Sequence, residues 1–428
     1  MAVRRTVVSG VMAVTVWITV WTAAAARQAG PPPLVGELIL ASYGGVTGAA
    51  IGTPAGDTDS PRLLGGNRLL TVAPDVVSVS PDGNYLLLSR RDPFDRPEPS
   101  TSPDARRRRN DEYILRSYMG NAFARPIVLH QLATGKTTSL KNLRITCAAW
   151  SPDSRTFSFV SADGIGVFDI ARSKTSKIVP AVRRKYAGHF SGETLASYGG
   201  SPHAFARQDC GPWIDNDSFA YRTRSAALPW FFDDLNALRW PGDPGTAARL
   251  DAQFGSDTGA VVTVGKSPKP VALGDVTILE VSPDGSRVLA SRATSEDRIE
   301  TFVGRLSSER VVVDAVVPPA LSDCRMVAAA EDLVCLRLGD GHPQLALVTG
   351  TSFTETSNLA VPGLRDWLWI GDGRALVLQV LEDDRNGVAV ADVDRGTLAA
   401  VLGHAQLTGL TGDVSGLRLV RWIAARRR

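Results

Sequence analysis

Three stretches of the chain repeat one arrangement of apolar and polar positions. They are VSVSPDGNYLLLSRR from Val77, CAAWSPDSRTFSFVSADGIGVFDI from Cys147 and ILEVSPDGSRVLASRA from Ile278. Each has a short apolar run, a sharp polar turn and a second run with alternating side chains, the pattern of two half-buried strands joined by a hairpin. The turn residues have separate physical jobs. Pro presets the first central position, Asp bonds nearby backbone, and Gly takes a left-handed conformation that other residues resist. A further apolar run follows in GIGVFDI, so each unit reads as a meander of strands.

Alignment on the residue before the turn extends the series. Val79, Trp150 and Val281 precede Ser-Pro-Asp, Trp213 precedes Ile-Asp-Asn-Asp, and Trp369 precedes Ile-Gly-Asp-Gly. Fainter copies at Val327 and Leu410 bring the total to seven units. The last three intervals each span roughly 40 to 46 residues, the period of a four-stranded propeller blade. A meander of that size cannot bury both faces alone, whereas blades packed around an axis bury one another. The expected fold is therefore an all-β, seven-bladed β-propeller over residues 35–428, with six or eight blades as alternatives. The last unit has only its turn and GLRLVRWIA, and the first, from GELILASYGG, lacks an inner strand. One blade built from both chain ends would close the ring and leave no open edge.

The stretch CAAWSPDSRTFSFVSADGIGVFDI resembles the repeat of TolB-type, WD-repeat-like propellers. In that repeat Trp-Ser-Pro-Asp-Gly precedes an apolar strand, and a later strand runs near Ile-x-Val-x-Asp. The resemblance covers most of the chain as architecture and implies a scaffold rather than a catalytic motif. Three copies carry Ser-Pro-Asp, and two of those keep the Gly.

The cysteines fall in the same register. Cys147, Cys210 and Cys324 each stand three residues before an anchor. In the Val327 unit that position faces the residue eight past the anchor, which is Cys335. Cys324 and Cys335 are thus expected to be cross-strand neighbours within disulfide reach. Cys147 and Cys210 would lie on the innermost strands of adjacent blades and form the second pair. Small buried thiols are the plainer alternative, because spacing alone does not fix connectivity.

The net charge of +3 is close to neutral, and no basic stripe interleaves with aromatics. Nucleic acid is therefore not an expected partner. Arg4 and Arg5 open an uncharged run ending in Ala24, Ala25 and Ala26, so residues 1–26 read as an export signal or, if uncleaved, a membrane anchor. A Pro-rich linker follows at residues 27–34. Four Cys in an exported chain fit an extracytoplasmic protein, secreted or tethered by its N-terminal segment.

Catalytic patterns are sparse. There is no Gly-x-Ser-x-Gly elbow, and GHFSGE, with His189 and Ser191, has the wrong spacing. Repeats running to the last residues leave no room for an appended hydrolase domain. His130, His189, His203, His342 and His404 are scattered and read as surface or loop residues rather than metal ligands. WIDNDS and EDDRNG lack the ligand series of a calcium loop, and Asp215 and Asp217 occupy the turn slot. Asp366, on an inner strand, is placed to line a central channel. No cofactor, metal or catalytic residue is expected.

Three insertions break the period, at residues 91–126, 182–209 and 225–250. Insertions of this kind map to loops that often carry binding. The first contains the cluster Arg106–Arg109. The third holds Trp230, Phe231, Phe232, Arg239 and Trp240, the aromatic and Arg types favoured as interface anchors. The alternative is local core capping the outer strands of a blade. The expected function is a monomeric, non-catalytic propeller that binds a protein or cell-envelope component. A propeller hydrolase or lyase, with channel residues converging from several blades, is the alternative.

Overall fold

The computed structural model describes residues 34–42, 45–52, 61–70, 74–90, 124–181, 183–185, 203–205, 207–224, 258–265, 268–294, 299–307, 310–327, 332–338, 342–381, 385–414 and 416–425. Seven four-stranded antiparallel sheets stand in a ring. Blade 1 joins the C-terminal strand Arg418–Ala424 to Val35–Ser42, Gly45–Gly52 and Arg62–Leu70. The two chain ends thus complete one blade, as the unpaired strands at each end require. Blades 2 to 7 follow in chain order at residues 74–145, 147–180, 207–274, 276–316, 321–360 and 364–402. Their inner strands are Pro74–Val79, Cys147–Trp150, Arg207–Trp213, Val276–Val281, Leu321–Met326 and Leu364–Gly371.

The core is divided among the junctions between blades. Every junction carries its own apolar cluster, seven in all, each drawing from two successive blades. Alternation of side chains across each strand produces this division. In blade 6, Leu333 and Cys335 face blade 5, while Val334 and Leu336 face blade 7. Phe157, Phe219 and Phe302 are fully buried. Burying a side chain of that size contributes roughly 1.5–3 kcal/mol.

The Ser-Pro-Asp turns are the same structure three times. Ser80 Oγ donates to Asp82 Oδ1 at 2.7 Å and accepts from Tyr85 N at 2.9 Å. Ser151 repeats this with Asp153 and Thr156, and Ser282 with Asp284 and Arg287. The following position is left-handed in all three, with φ of +70° at Gly83, +61° at Ser154 and +72° at Gly285. Ser154 is the exception to the glycine preference, and its hydroxyl accepts from Asp82 N of the previous blade at 3.0 Å. In the Trp213 unit, Asp215 Oδ1 accepts from Asp217 N and Ser218 N, both at 2.7 Å, so this carboxylate closes a turn as well.

Two expectations are corrected. Leu410 does not precede an inner-strand turn; it lies on helix α1 (His404–Thr411), the single helix among the described residues. The inner strand of blade 1 starts later, at Arg418. Leu407 of α1 is fully buried between blades 7 and 1, and Thr47 Oγ1 donates to Leu410 O at 2.9 Å. His130 is no surface residue: it sits in the strand Arg125–Gln131 at 3% exposure, with Nδ1 2.8 Å from Thr137 Oγ1. Burial lowers its pKa below the usual histidine value.

Antiparallel order sorts the connections onto two faces. The hairpins after the inner strands, including all three Ser-Pro-Asp turns, lie on one face, hereafter the turn face. Connections from second to third strands, and from each blade to the next, lie on the other, the connection face. The insertions between Arg90 and Arg125, between Pro180 and Arg207, and between Arg224 and Thr258 all leave from the connection face. Helix α1 lies there too. Within the second insertion, Arg183–Lys185 pairs with His203–Phe205 as a two-stranded ribbon.

Candidate functional site

The inner strands carry a belt of links between blades. Cys147 of blade 3 is bonded to Cys210 of blade 4, with Cα atoms 6.0 Å apart. The same junction holds hydrogen bonds from Trp213 Nε1 to Ala149 O at 2.9 Å and from Asp153 N to Asn216 Oδ1 at 3.1 Å. The second disulfide, Cys324–Cys335, lies within blade 6, its Cα atoms 4.0 Å apart. The inner strand bulges there between Ser322 and Arg325, bringing Cys324 opposite Cys335.

Charged side chains continue the belt through blades 5, 6, 7 and 1. Glu280 Oε2 accepts from Met326 N of blade 6 at 2.9 Å. Asp323 Oδ2 accepts from Trp367 Nε1 of blade 7 at 2.8 Å, while its other oxygen pairs with Arg325 Nη2 at 2.9 Å. The Arg325 guanidinium lies 5.9 Å from the Trp367 ring centroid, within cation–π range. Asp366 Oδ2 accepts from Leu419 N of blade 1 at 2.8 Å, and its Oδ1 from Trp367 N at 2.9 Å. Arg418 Nη2 then donates to Val76 O of blade 2 at 3.1 Å.

Burial raises the pKa of Glu280 above the usual carboxylate range and Asp323 adds to the shift, against lowering by the Met326 N–H and Arg325. Asp366 is likewise raised, first by burial, although the Leu419 and Trp367 N–H groups and Arg418 act the other way. Glu280 accepts one main-chain N–H across the belt, and Asp366 accepts two, one across and one along it. Among the described residues, no three His, Cys, Asp or Glu side chains form a group able to hold a metal ion.

All four cysteines have defined places in this belt or beside it. Asp366 sits where expected on an inner strand, but its partner is backbone of the next blade. Glu280, Asp323, Arg325, Trp367 and Arg418 escaped the sequence reading. The available signal was closeness to an anchor: Glu280 stands directly before Val281, Asp323 and Arg325 shortly before Val327, and Trp367 shortly before Trp369. Trp230, Phe231, Phe232, Arg239 and Trp240, like Arg106–Arg109, His189 and residues 1–26, lie outside the described residues. The strand ends that flank the third insertion, Arg224 and Thr258, lie on the connection face.

No family model matches the sequence, and no curated protein matches it. Among solved structures, TolB from Acinetobacter baumannii is similar at 10% identity and a TM-score of 0.42, covering 92% of this chain and 68% of that one. The β-propeller domain of the Trilobed protease from Pyrococcus furiosus gives 10% identity, a TM-score of 0.45, and 87% and 97% coverage. Dihydro-heme d1 dehydrogenase NirN gives 12%, 0.43, and 86% and 74%. These likenesses concern fold, and the sheets count the blades. The chain is a seven-bladed β-propeller closed by its two ends, with TolB among its structural neighbours.

Proposed function

We propose that the protein is an exported, monomeric, non-catalytic binding module that engages a protein or cell-envelope component through the connection face. The observation that carries this reading is topological: all three long insertions leave the ring on that one face. Among the described residues, the turn face carries short hairpins, three of them held by the Ser-Pro-Asp hydrogen bonds. The half-buried belt carboxylates support the same reading, since Glu280 and Asp366 hold neighbouring blades together. Two disulfides fit an oxidising, extracytoplasmic compartment, in keeping with export by residues 1–26.

Trp230 and Trp240 are the proposed anchors, because aromatic side chains dominate binding energy at protein interfaces. In envelope fractions of the native cell, Trp230→Ala with Trp240→Ala should abolish capture of the partner while far-UV circular dichroism and melting temperature stay unchanged. Undiminished capture by the folded double variant would remove the third insertion from the binding site.

A further inference from the structure

We propose that the Cys147–Cys210 disulfide is a reducible latch between blades 3 and 4, opened by a thiol that attacks Cys210 and expels Cys147. The first argument is its place in the ring. Most blades are joined by very short connections, Thr146 or Asp275 alone, or residues 71–73, 317–320 and 361–363. Such links hold successive blades together whatever their side chains do. Only two connections are long: residues 403–417, reinforced by helix α1 packed between the blades, and residues 181–206. Across the second, a covalent bond joins the inner strands of the two blades.

Access differs between the two disulfides. Cys147 and Cys210 are half-buried, whereas Cys324 and Cys335 are 6% and 0% exposed. Thiol–disulfide exchange needs a thiolate to reach one sulfur, which favours the inter-blade bond between the two less buried residues. The blade 6 bond is sealed in the core between blades 5 and 6.

The surroundings also set the direction of attack. Cys147 Sγ accepts a hydrogen bond from Cys210 N at 3.0 Å and a longer one from Thr146 Oγ1 at 4.0 Å. No donor addresses Cys210 Sγ among the described residues. Hydrogen bonds onto a sulfur stabilise its thiolate, and the sulfur of lower thiol pKa leaves faster. A thiolate therefore bonds to Cys210 Sγ, the Cys147–Cys210 bond breaks, and its electron pair departs on Cys147 Sγ. A second thiolate, from the same dithiol or another monothiol, attacks the mixed disulfide and releases Cys210. The reductant ends as a disulfide, and two electrons and two protons reside in the two protein thiols. Hydrogen bonds at Trp213 and Asp153 and the apolar cluster remain, so the junction loosens without the blades unfolding.

The test uses the full native protein with glutathione as the probe, followed by acid quench, labelling of free thiols with N-ethylmaleimide and peptide mass mapping. Glutathione should appear on Cys210 and maleimide on Cys147, with Cys324–Cys335 intact. The Cys210 adduct should be in several-fold excess over the Cys147 adduct, because the sulfur that accepts the hydrogen bonds is the better leaving group. Glutathione mainly on Cys147, joint reduction of both disulfides, or no adduct while circular dichroism stays native would each overturn the latch. Hydrogen exchange then reads its consequence. Cys147→Ser with Cys210→Ser should speed exchange at residues 207–213, and Cys324→Ser with Cys335→Ser should not; equal rates there would also overturn it.

Discussion

The two faces of the ring are made from the same strands, yet they follow different rules. On the turn face, Ser80, Ser151 and Ser282 rebuild one network, with Ser-to-Asp distances of 2.7, 2.7 and 2.6 Å. On the connection face, the link between blades ranges from Asp275 alone to residues 181–206. A hairpin that returns the chain to an adjacent strand must satisfy a fixed geometry, so its chemistry repeats. A connection running over the surface has no such limit, because the entropy of closing it grows only slowly with length. The difference marks where the ring can vary: the Ser-Pro-Asp hairpins are held by local bonding, and the other face accepts connections of very different length.

The largest expected effect lies at the long blade 3 to blade 4 connection. Cys147→Ala with Cys210→Ala opens a sequence separation of 63 and should cost about 4 kcal/mol by chain-entropy reasoning. Cys324→Ala with Cys335→Ala, at a separation of 11, should cost about 3 kcal/mol. Guanidinium unfolding without reductant measures both, and an inverted order would show that the sealed bond matters more than the ring junction.

A smaller loss belongs to the closure of blades 7 and 1. Asp366→Ala leaves the Leu419 N–H without its acceptor and should cost about 1–3 kcal/mol. Asp366→Asn keeps an oxygen acceptor and should recover part of this in the same unfolding experiment. Smaller again is Ser282→Ala on the turn face, at about 1 kcal/mol. It should leave partner binding untouched, and a change in binding would place function on the wrong face.

The smallest effect is in the pH dependence of unfolding, and the two regions have opposite signs. Hydrogen bonds from Ser282 and Ser286 hold Asp284 at about 2, below its ordinary 3.8. Its contribution is present above 3.8 and is lost as the pH falls toward 2. Asp366 is raised above 3.8, chiefly by burial, so its contribution is present at lower pH and fades as the pH rises through its folded value. Asp284→Asn should flatten the acid limb, and Asp366→Asn should remove the loss above 3.8. Parallel pH profiles for the two variants would contradict the assigned causes.

Legibility in the sequence followed the same division. Ser-Pro-Asp turns are short-range chemistry, so alignment on Val79, Trp150 and Val281 located three inner strands and their order in the ring. The cysteine slot worked because residues three before each anchor share one register. Leu410 misled because TGDVSG has turn composition, while the deciding fact was long-range: α1 is held by blade 1 through Thr47 and the Gly66 backbone region. His130 looked like a scattered polar residue because nothing nearby in sequence reveals that blades 1 and 3 cover the two faces of its strand. The belt was hidden for the same reason. Glu280 finds Met326, and Asp366 finds Leu419, only once the ring closes.

Placing a photo-crosslinking residue on each face tests the central claim most directly. Benzoylphenylalanine would replace Asp217 or Ser286 on the turn face, and Thr258 or Gln406 on the connection face. Irradiation of native cells, followed by mass spectrometry of the adducts, should yield a common crosslinked partner from Thr258 and Gln406 and none from Asp217 or Ser286. Crosslinks to that partner from the turn-face positions instead would contradict the division of the ring into a scaffold face and a binding face.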